Sequence, residues 1–337
     1  MRGRFESVGR NGRDALHRVD WRRLFRRYTP AAIATDIESP LLAADEIARL
    51  ALQAALLAAA HSQREVHDHH AGDWPAAWLG RGLDYEESRP YAAGDDIRDM
   101  DWRTTARSGR PFLKIYREER QPMLHLVVDR SASLRFGTRR RLKAAQAARV
   151  AILLAFAAAE DHTVVAATLW DQHDLDLPPL HGRAGALALA EVVAAACPPL
   201  HRSNPTEPQR DLDRLAWLDA NLPRGARLVL ISDFAWLAAE HEALLARLAE
   251  RLDVQAVSIS DPVERELPDL GLACFHDLAR QGVSWLDTGD AGQRRAQSER
   301  LRRQLQQRGE RLGRAGIRQI GIGAEVDDLL PLLAGHA

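Results

Sequence analysis

The sequence is short of cysteine and lysine, and both shortages limit what the protein can be. Its 337 residues include two cysteines, Cys197 and Cys274, which lie far apart in apolar surroundings. We expect buried free thiols, as in a reducing compartment, and no disulfide scaffold. Lysine occurs only at Lys114 and Lys143, so arginine carries almost all of the positive charge. We attribute this skew to codon usage.

Long apolar runs are missing as well. The most apolar stretches, residues 47–60 and 150–159, are shorter than the roughly 20 residues that a membrane-spanning helix needs. The N-terminus is rich in arginine, and no apolar segment of a secretory signal follows it. These features predict a cytoplasmic protein without a transmembrane segment.

Opposite charges are almost balanced, with a formal net charge of −1 at pH 7. Because this balance does not favour a polyanionic partner, we expect no nucleic-acid partner. The exception is the N-terminal arm, where residues 1–30 hold nine arginines. A solvated arm is the simpler interpretation, and attachment to nucleic acid or to an anionic membrane surface is the alternative.

The chain after residue 120 alternates apolar, strand-like runs with amphipathic helical segments. This alternation predicts an α/β fold with a doubly wound, mostly parallel sheet. An N-terminal helix and an irregular segment containing β-strands precede it. We therefore divide the chain into an Arg-rich arm (residues 1–42), a helix and β segment (43–119) and the sheet domain (120–337).

The sequence "VVDRSASLRFG" (residues 127–137) places three hard oxygen ligands at the end of a predicted buried strand. Asp129 is followed at alternate positions by Ser131 and Ser133. A second predicted strand, "LVLIS", is followed by Asp233. Because ligands of open α/β sheets gather at the carboxyl ends of the strands, the two carboxylates are expected to share one crevice. Carboxylate and hydroxyl oxygens suit Mg²⁺, with Mn²⁺ as the alternative ion.

Two other interpretations of these residues are open. Asp and Ser at a strand–helix junction also cap helix N-termini. A nucleophilic serine is disfavoured, because the flanking glycines of the hydrolase elbow are absent and His125 lies inside the strand. The glycine-rich loop that binds phosphate groups is also missing from the sequence.

Asp-x-Ser-x-Ser at a strand end, followed by a later strand that ends in Asp, resembles the metal-ion-dependent adhesion site of von Willebrand factor A domains. The resemblance implies that a Thr hydroxyl completes the ligand set, and Thr206 stands in the corresponding place, with Ser203 as the fallback. It also implies that a carboxylate of the partner protein fills the last coordination position. The implied metal ligands are Asp129, Ser131, Ser133, Thr206 and Asp233.

The preceding segment, "SRPYAAGDDIRDMDWRTTARSGRPFLKIYREER" (residues 88–120), is similar to the signature of the bacterial domain-of-unknown-function 58 proteins. That family joins this signature to a von Willebrand factor A-like domain, and the resemblance covers roughly residues 65–260. It implies a Rossmann-like sheet and a partnership with MoxR-type AAA+ ATPases in chaperone-like complex maturation. Many members carry two N-terminal membrane helices, and this chain resembles the form without them.

The signature mixes acidic and basic residues with two aromatic residues. We expect Arg–carboxylate pairs to tie this segment to the sheet, with Tyr91 and Trp102 as apolar anchors. A second interaction surface is the alternative. The charged residues concerned are Asp95, Asp96, Asp101, Arg98, Arg103 and Arg107.

The residues together predict a protein-interaction module and not an enzyme. A metal-dependent hydrolase or phosphoryl-transfer enzyme that uses the same ion is the alternative. The identity of the partner, the cellular process and the oligomeric state do not follow from the sequence.

Overall fold

The computed structural model describes residues 39–68, 84–91, 100–117, 123–197, 208–277 and 282–334. The elements before residue 120 are helix α1 (Ala44–Asp68), strand β1 (Asp84–Pro90), helix α2 (Trp102–Ser108) and strand β2 (Phe112–Arg117). β1 and β2 pair antiparallel, with an irregularity between Tyr85 and Glu87. The predicted irregular β segment is therefore confirmed.

The elements after residue 120 alternate as the sequence predicts. The strands are β3 (Met123–Asp129), β4 (Val164–Trp170), β5 (Leu175–Leu180), β6 (Arg227–Ser232), β7 (Asp253–Ser260), β8 (Leu272–Asp277), β9 (Gly282–Asp287) and β10 (Arg318–Gly323). The helices are α3 (Lys143–Glu160), α4 (Gly182–Val193), α5 (Pro208–Asn221), α6 (Glu242–Arg251), α7 (Pro262–Arg265), α8 (Ala291–Arg314) and α9 (Leu330–Ala334).

Six strands form the central sheet in the order β10-β7-β6-β3-β4-β5. The first five are parallel, and β5 pairs antiparallel with β4 at one edge. β3 and β4 are apolar along almost their whole length because helices cover both faces of the sheet. The prediction of a doubly wound, mostly parallel α/β sheet is thus confirmed.

The chain reverses its direction of winding at β3. It leaves β3 toward β4 and β5 on one side, then returns to place β6 against the other side of β3. The loops that follow β3 and β6 therefore lead in opposite directions, which leaves a crevice between them at the carboxyl edge of the sheet. Such a topological switch point is where open α/β sheets bind their ligands.

Helix α3 is apolar on almost every side, since it lies between the sheet, α1 and α4. Leu50, Ala54 and Leu57 of α1 pack into the same core as α3. Helices α5, α6 and α8 cover the opposite face of the sheet. The domain boundary between residues 119 and 120 stays a prediction. Helix α1, which precedes this boundary, packs into the same core as the sheet that follows it.

Three expectations need correction. The sequence of residues 139–160 predicts one helix, but α3 begins at Lys143, because residues 137–142 form a loop, which is closed by a hydrogen bond from Lys143 N to Phe136 O at 2.8 Å. The helix predicted over residues 236–252 becomes a short 3₁₀ turn followed by α6. The strand predicted at residues 283–289 does form, as β9, and it pairs with β8 in a hairpin separate from the central sheet. Cys197 and Cys274 are both free, but only Cys197 is buried.

The signature segment forms its own local structure. Asp101 caps α2, because its Oδ1 accepts hydrogen bonds from Arg103 N and Thr104 N at 3.1 Å each. Trp102 is 66% exposed, so the prediction that it acts as an apolar anchor is wrong. Asp95, Asp96 and Arg98 lie outside the described residues.

None of the helices within the described ranges is both long enough and apolar enough to span a bilayer.

Candidate metal centre

Strand β3 brings Asp129 to the carboxyl edge of the sheet, where its side chain is buried. Its Oδ1 accepts a hydrogen bond from Ser131 N at 2.8 Å, which turns the chain sharply after the strand. Its Oδ2 accepts a hydrogen bond from the hydroxyl of Ser232 at 2.5 Å. Because Ser232 ends β6, this second bond joins the ends of the two adjacent strands at the switch point.

The two serines of the motif extend from Asp129 toward Asp233. Ser131 Oγ and Ser133 Oγ lie 3.2 Å apart. The hydroxyl of Ser133 donates to Asp233 Oδ1 at 3.1 Å, across 100 positions of sequence. Ala235 N donates to the same Oδ1 at 2.9 Å and fixes the orientation of the carboxylate. Four predicted ligands therefore lie together.

The two carboxylates differ in their electrostatics. Burial raises the pKa of Asp129 to about 6, and the negative charge of Asp233 adds to the increase. Burial also opposes ionisation of Asp233, but the ammonium of Lys143 and the guanidinium of Arg308 outweigh it and hold its pKa below the ordinary value. The pair thus combines one carboxylate whose charge neighbouring cations favour with one whose charge burial and Asp233 disfavour.

A buried ammonium lies beside the carboxylates. Lys143 Nζ donates to Asp233 Oδ2 at 2.8 Å and to Glu264 Oε1 at 2.7 Å. Burial disfavours the charged form of Lys143, yet the two carboxylates raise its pKa above the usual value. The lysine is therefore held as an internal cation.

A third carboxylate follows the end of the next strand. Asp261, just after β7, is fully buried and accepts hydrogen bonds from Thr138 N at 2.8 Å and from the Thr138 hydroxyl. Asp261 N donates in turn to Glu264 Oε2 at 2.8 Å. These bonds attach the loop after β3 to the loop after β7. Asp261 is therefore a structural support of the site.

Arg130 does not compete for the site, although it follows Asp129 in sequence. Its guanidinium turns away and donates to Ala195 O at 3.1 Å and to Ala196 O at 2.8 Å, just beyond the C-terminus of α4. Cations are favoured at helix C-termini by the helix dipole. The positive charge is thus used in packing α4.

The structure brings together Asp129, Ser131, Ser133 and Asp233, while Thr206 and its fallback Ser203 lie outside the described residues. Inspection of the sequence missed the nearby residues that support the site. Two signals were present: Lys143 is one of only two lysines, and Asp261 follows an apolar strand just as Asp129 and Asp233 do. The missed residues are Lys143, Ser232, Asp261 and Glu264.

The oxygen spacings suit a small, hard cation. Neighbouring ligand oxygens around octahedral Mg²⁺ lie about 3 Å apart, close to the 3.2 Å and 3.1 Å separations that link Ser131, Ser133 and Asp233. A cation there would also favour ionisation of Asp129. In the part of the chain that the structure describes, no group of three or more His, Cys, Asp or Glu side chains is placed to hold a metal. The candidate centre thus depends on hydroxyls as well as carboxylates.

Comparison with known sequences gives the family. The model of the family described as "Protein of unknown function DUF58" matches residues 87–307. The chain belongs to the DUF58 family. The match includes the signature segment as well as the strand ends that carry Asp129 and Asp233.

Among DUF58-like relatives, the uncharacterized protein Rv1480 of Mycobacterium tuberculosis is 31% identical over 266 residues, which is 76% of each chain. The uncharacterized protein Mb1516 of Mycobacterium bovis matches equally well. A crystal structure of the conserved hypothetical protein BatB from Bacteroides thetaiotaomicron covers 64% of this chain and 96% of its own, with 9% identity and a TM-score of 0.40. An aerotolerance-related membrane protein of Bacteroides fragilis has the same coverage, with 12% identity and a TM-score of 0.37. Similarity at this level carries no functional information.

Proposed function

We propose that the protein is a non-enzymatic interaction module of the von Willebrand factor A type, which binds its partner through a divalent ion. One observation carries the proposal. Two carboxylates and two hydroxyls from separate loops meet at the switch point, linked through Ser133 at 3.2 Å and 3.1 Å. The sequence resemblance and the doubly wound sheet support the same assignment.

The ion would be held by Asp129, Ser131, Ser133 and Asp233, with Thr206 as the remaining predicted ligand. Mg²⁺ is the ion that this oxygen-rich set favours, and Mn²⁺ is the alternative. When bound, the ion would offer a free coordination position to an acidic side chain of the partner. The protein side chains would orient it, and the hydroxyls would leave its positive charge only partly neutralised.

The partner that the family resemblance implies is a MoxR-type AAA+ ATPase, and the process is chaperone-like complex maturation. The cytoplasmic location predicted from the sequence belongs to the same proposal, since such ATPases work in that compartment. The free state of Cys197 and Cys274 agrees with a reducing environment.

The alternative function is metal-dependent hydrolysis or phosphoryl transfer with the same ion. Such an enzyme needs a positioned base beside the reacting oxygen. In the described structure, the hydrogen bonds of Ser131 and Ser133 lead to each other and to carboxylates, and not to a histidine. This arrangement favours binding over catalysis.

The test is a pull-down of a MoxR-type ATPase from the same genome by the full chain, in 1 mM Mg²⁺ (about the physiological level) or with chelator. We expect capture in Mg²⁺ and its loss with chelator or with Asp129→Ala, because the ion links the two proteins. Asp171→Asn is the matched control, since Asp171 lies at the same edge of the sheet but pairs with Arg135.

Capture that ignores both the chelator and Asp129→Ala would contradict the ion-dependent mechanism. Turnover of generic phosphoesters that disappears in Asp129→Ala would instead favour the enzymatic alternative. A divalent ion bound without any captured ATPase would leave the ion site standing and remove this partner.

A further inference from the structure

The ammonium of Lys143 lies where it can oppose a divalent ion. Its side chain is 2% exposed, and Nζ is 2.8 Å from Asp233 Oδ2. The other oxygen of the same carboxylate, Oδ1, accepts from the hydroxyl of Ser133 at 3.1 Å. One carboxylate therefore faces both the internal cation and the candidate ion site.

We propose that Lys143 is a built-in cation that occupies one oxygen of Asp233 and so keeps divalent-ion binding weak until an acidic partner arrives. This inference rests on the proposed function. The inference assigns to Lys143 control over the affinity for the ion and over the condition under which the ion binds. The ligands alone do not determine these two properties.

The ammonium cannot simply move away. Lys143 is the first residue of α3, where its backbone N donates to Phe136 O at 2.8 Å. On its far side, Nζ is held by Glu264 Oε1 at 2.7 Å. Glu264 is itself fixed, because Asp261 N donates to its Oε2 at 2.8 Å. The positive charge is therefore tethered from both ends beside Asp233.

The tether has two consequences for an ion. The ammonium occupies Oδ2 of Asp233, so only Oδ1, the oxygen that accepts from Ser133, faces the ion, and Asp233 cannot hold it with both oxygens. The ammonium also repels a dication across a buried, poorly screened space. A carboxylate supplied by a partner would offset that repulsion. Because binding linkage is reciprocal, the ion and the acidic partner should each tighten the binding of the other.

The experiment is a titration of the full chain with Mn²⁺ alone, followed by the electron paramagnetic resonance of the free ion. Lys143→Met removes the charge at similar side-chain length, and we expect Mn²⁺ affinity to rise at least about tenfold. Arg308→Gln is the matched control. Arg308 donates to the backbone O of Asp233 at 3.0 Å and acts on the carboxylate only through its charge, so we expect a smaller gain than in Lys143→Met, of less than about threefold.

A second variant is needed in case Lys143→Met misfolds, because that substitution leaves buried carboxylates without a counter-charge. Lys143→Met/Glu264→Gln removes one charge of each sign and keeps the net charge of the wild type. We still expect tighter Mn²⁺ binding than in the wild type, because the freed oxygen belongs to Asp233. Adding acetate as a model carboxylate should strengthen Mn²⁺ binding more in the wild type than in either variant.

The outcomes separate the two proposals. If the wild type binds Mn²⁺ and both Lys143 variants bind it equally or more weakly, the role of Lys143 is wrong and the ion site stands. Equal gains in Arg308→Gln and Lys143→Met would also overturn it, since any nearby charge would then suffice. If the Lys143 variants bind Mn²⁺ but the wild type binds it neither alone nor with acetate, Lys143 opposes the ion as inferred, but an acidic group does not relieve that opposition and the proposed ion-dependent function of the wild type fails.

Discussion

Two charged clusters lie at the same carboxyl edge of the sheet and are built differently. The central cluster, at the ends of β3 and β6, consists of Asp129, Ser131, Ser133, Lys143 and Asp233. The lateral cluster, beyond β4, consists of Asp171, Asp174, Arg135, Arg210 and Arg214. Both follow buried parallel strands, so position in the fold does not distinguish them.

In the lateral cluster, guanidinium groups satisfy the carboxylates. Arg214 donates to Asp174 from Nε at 2.8 Å and from Nη2 at 2.5 Å, a forked pair. Arg210 adds a third bond to Asp174 at 3.0 Å, and Arg135 pairs with Asp171. Such a cluster has no charge left over for an external cation. It ties β4 and the following loop to α5.

In the central cluster, carboxylates outnumber the cations that touch them. Within the described ranges, the donors to Asp129 are a hydroxyl and a backbone amide, and Lys143 is shared between Asp233 and Glu264. The comparison teaches that a strand-end aspartate indicates a ligand site only when its charge is not already neutralised within the fold. The following predictions test that difference.

The largest expected difference between the two clusters is in the free energy of unfolding that is lost when a cation is removed from each. Lys143→Met leaves Asp233 buried without its close counter-charge, and we expect the free energy of unfolding in chelator to fall by about 3–5 kcal/mol. Arg214→Met should cost about 1–3 kcal/mol, because Asp174 keeps Arg210 and contact with solvent. Urea denaturation at neutral pH measures both, and equal losses would break the comparison.

Acid should also act through a residue of neither cluster, His125 of β3, which is buried and hydrogen-bonded to Thr168 of β4. Burial lowers the pKa of His125 to about 4 from the unfolded value of 6.5. The unfolded chain therefore takes up the proton first, and stability present above pH 6.5 is lost as the pH falls toward 4.

We expect His125 to contribute a loss of up to about 3 kcal/mol over this interval. Asp129 acts in the opposite direction, because its raised pKa lets the folded chain take up a proton below about pH 6. His125→Gln keeps a donor for Thr168 and should remove the loss due to His125, whereas Arg214→Met should not. Denaturant midpoints measured at several pH values would show this, and an unchanged slope in His125→Gln would rule out His125 as the source.

Divalent-ion affinity should depend on one cluster only. Asp129→Asn removes the charge of a direct ligand, and we expect Mn²⁺ affinity to fall at least about a hundredfold. This is more than the affinity usually lost when a residue that hydrogen-bonds to a ligand is replaced. Asp171→Asn at the lateral cluster should leave the affinity unchanged. Calorimetric titration gives both values. A comparable loss in Asp171→Asn would mean that the ion binds at the lateral cluster.

The smallest expected effect concerns a single hydroxyl. Ser133→Ala removes the group that links Ser131 to Asp233, and we expect a loss of stability of about 1 kcal/mol with Mn²⁺ affinity reduced about three- to tenfold. Arg210→Gln at the lateral cluster is the control for affinity. Unchanged Mn²⁺ binding in Ser133→Ala would remove Ser133 from the ligand set.

Much of the fold could be predicted from local patterns. β3, β4 and β6 are apolar over most of their length, while β7 mixes apolar with polar residues. Apolar strands separated by helices have few alternatives to a parallel sheet. The hairpin of β8 and β9 was harder, because the sequence of β8, LACFHD, has no alternation of apolar and polar residues. The start of α3 was also missed, since the loop before it is held by bonds to Leu134 and Phe136 and not by a sequence cap.

The candidate site divides in the same way. The sequence by itself determined that Asp129 and Asp233 end buried strands, because the periodicity of apolar residues is a local property. Only the tertiary structure decided that β6 lies beside β3, that Ser133 reaches Asp233, and that Lys143 neutralises part of the pair. Residues 90 positions apart, such as Lys143 and Asp233, form an ion pair only when the fold brings the start of α3 to the end of β6, and no local pattern encodes that proximity.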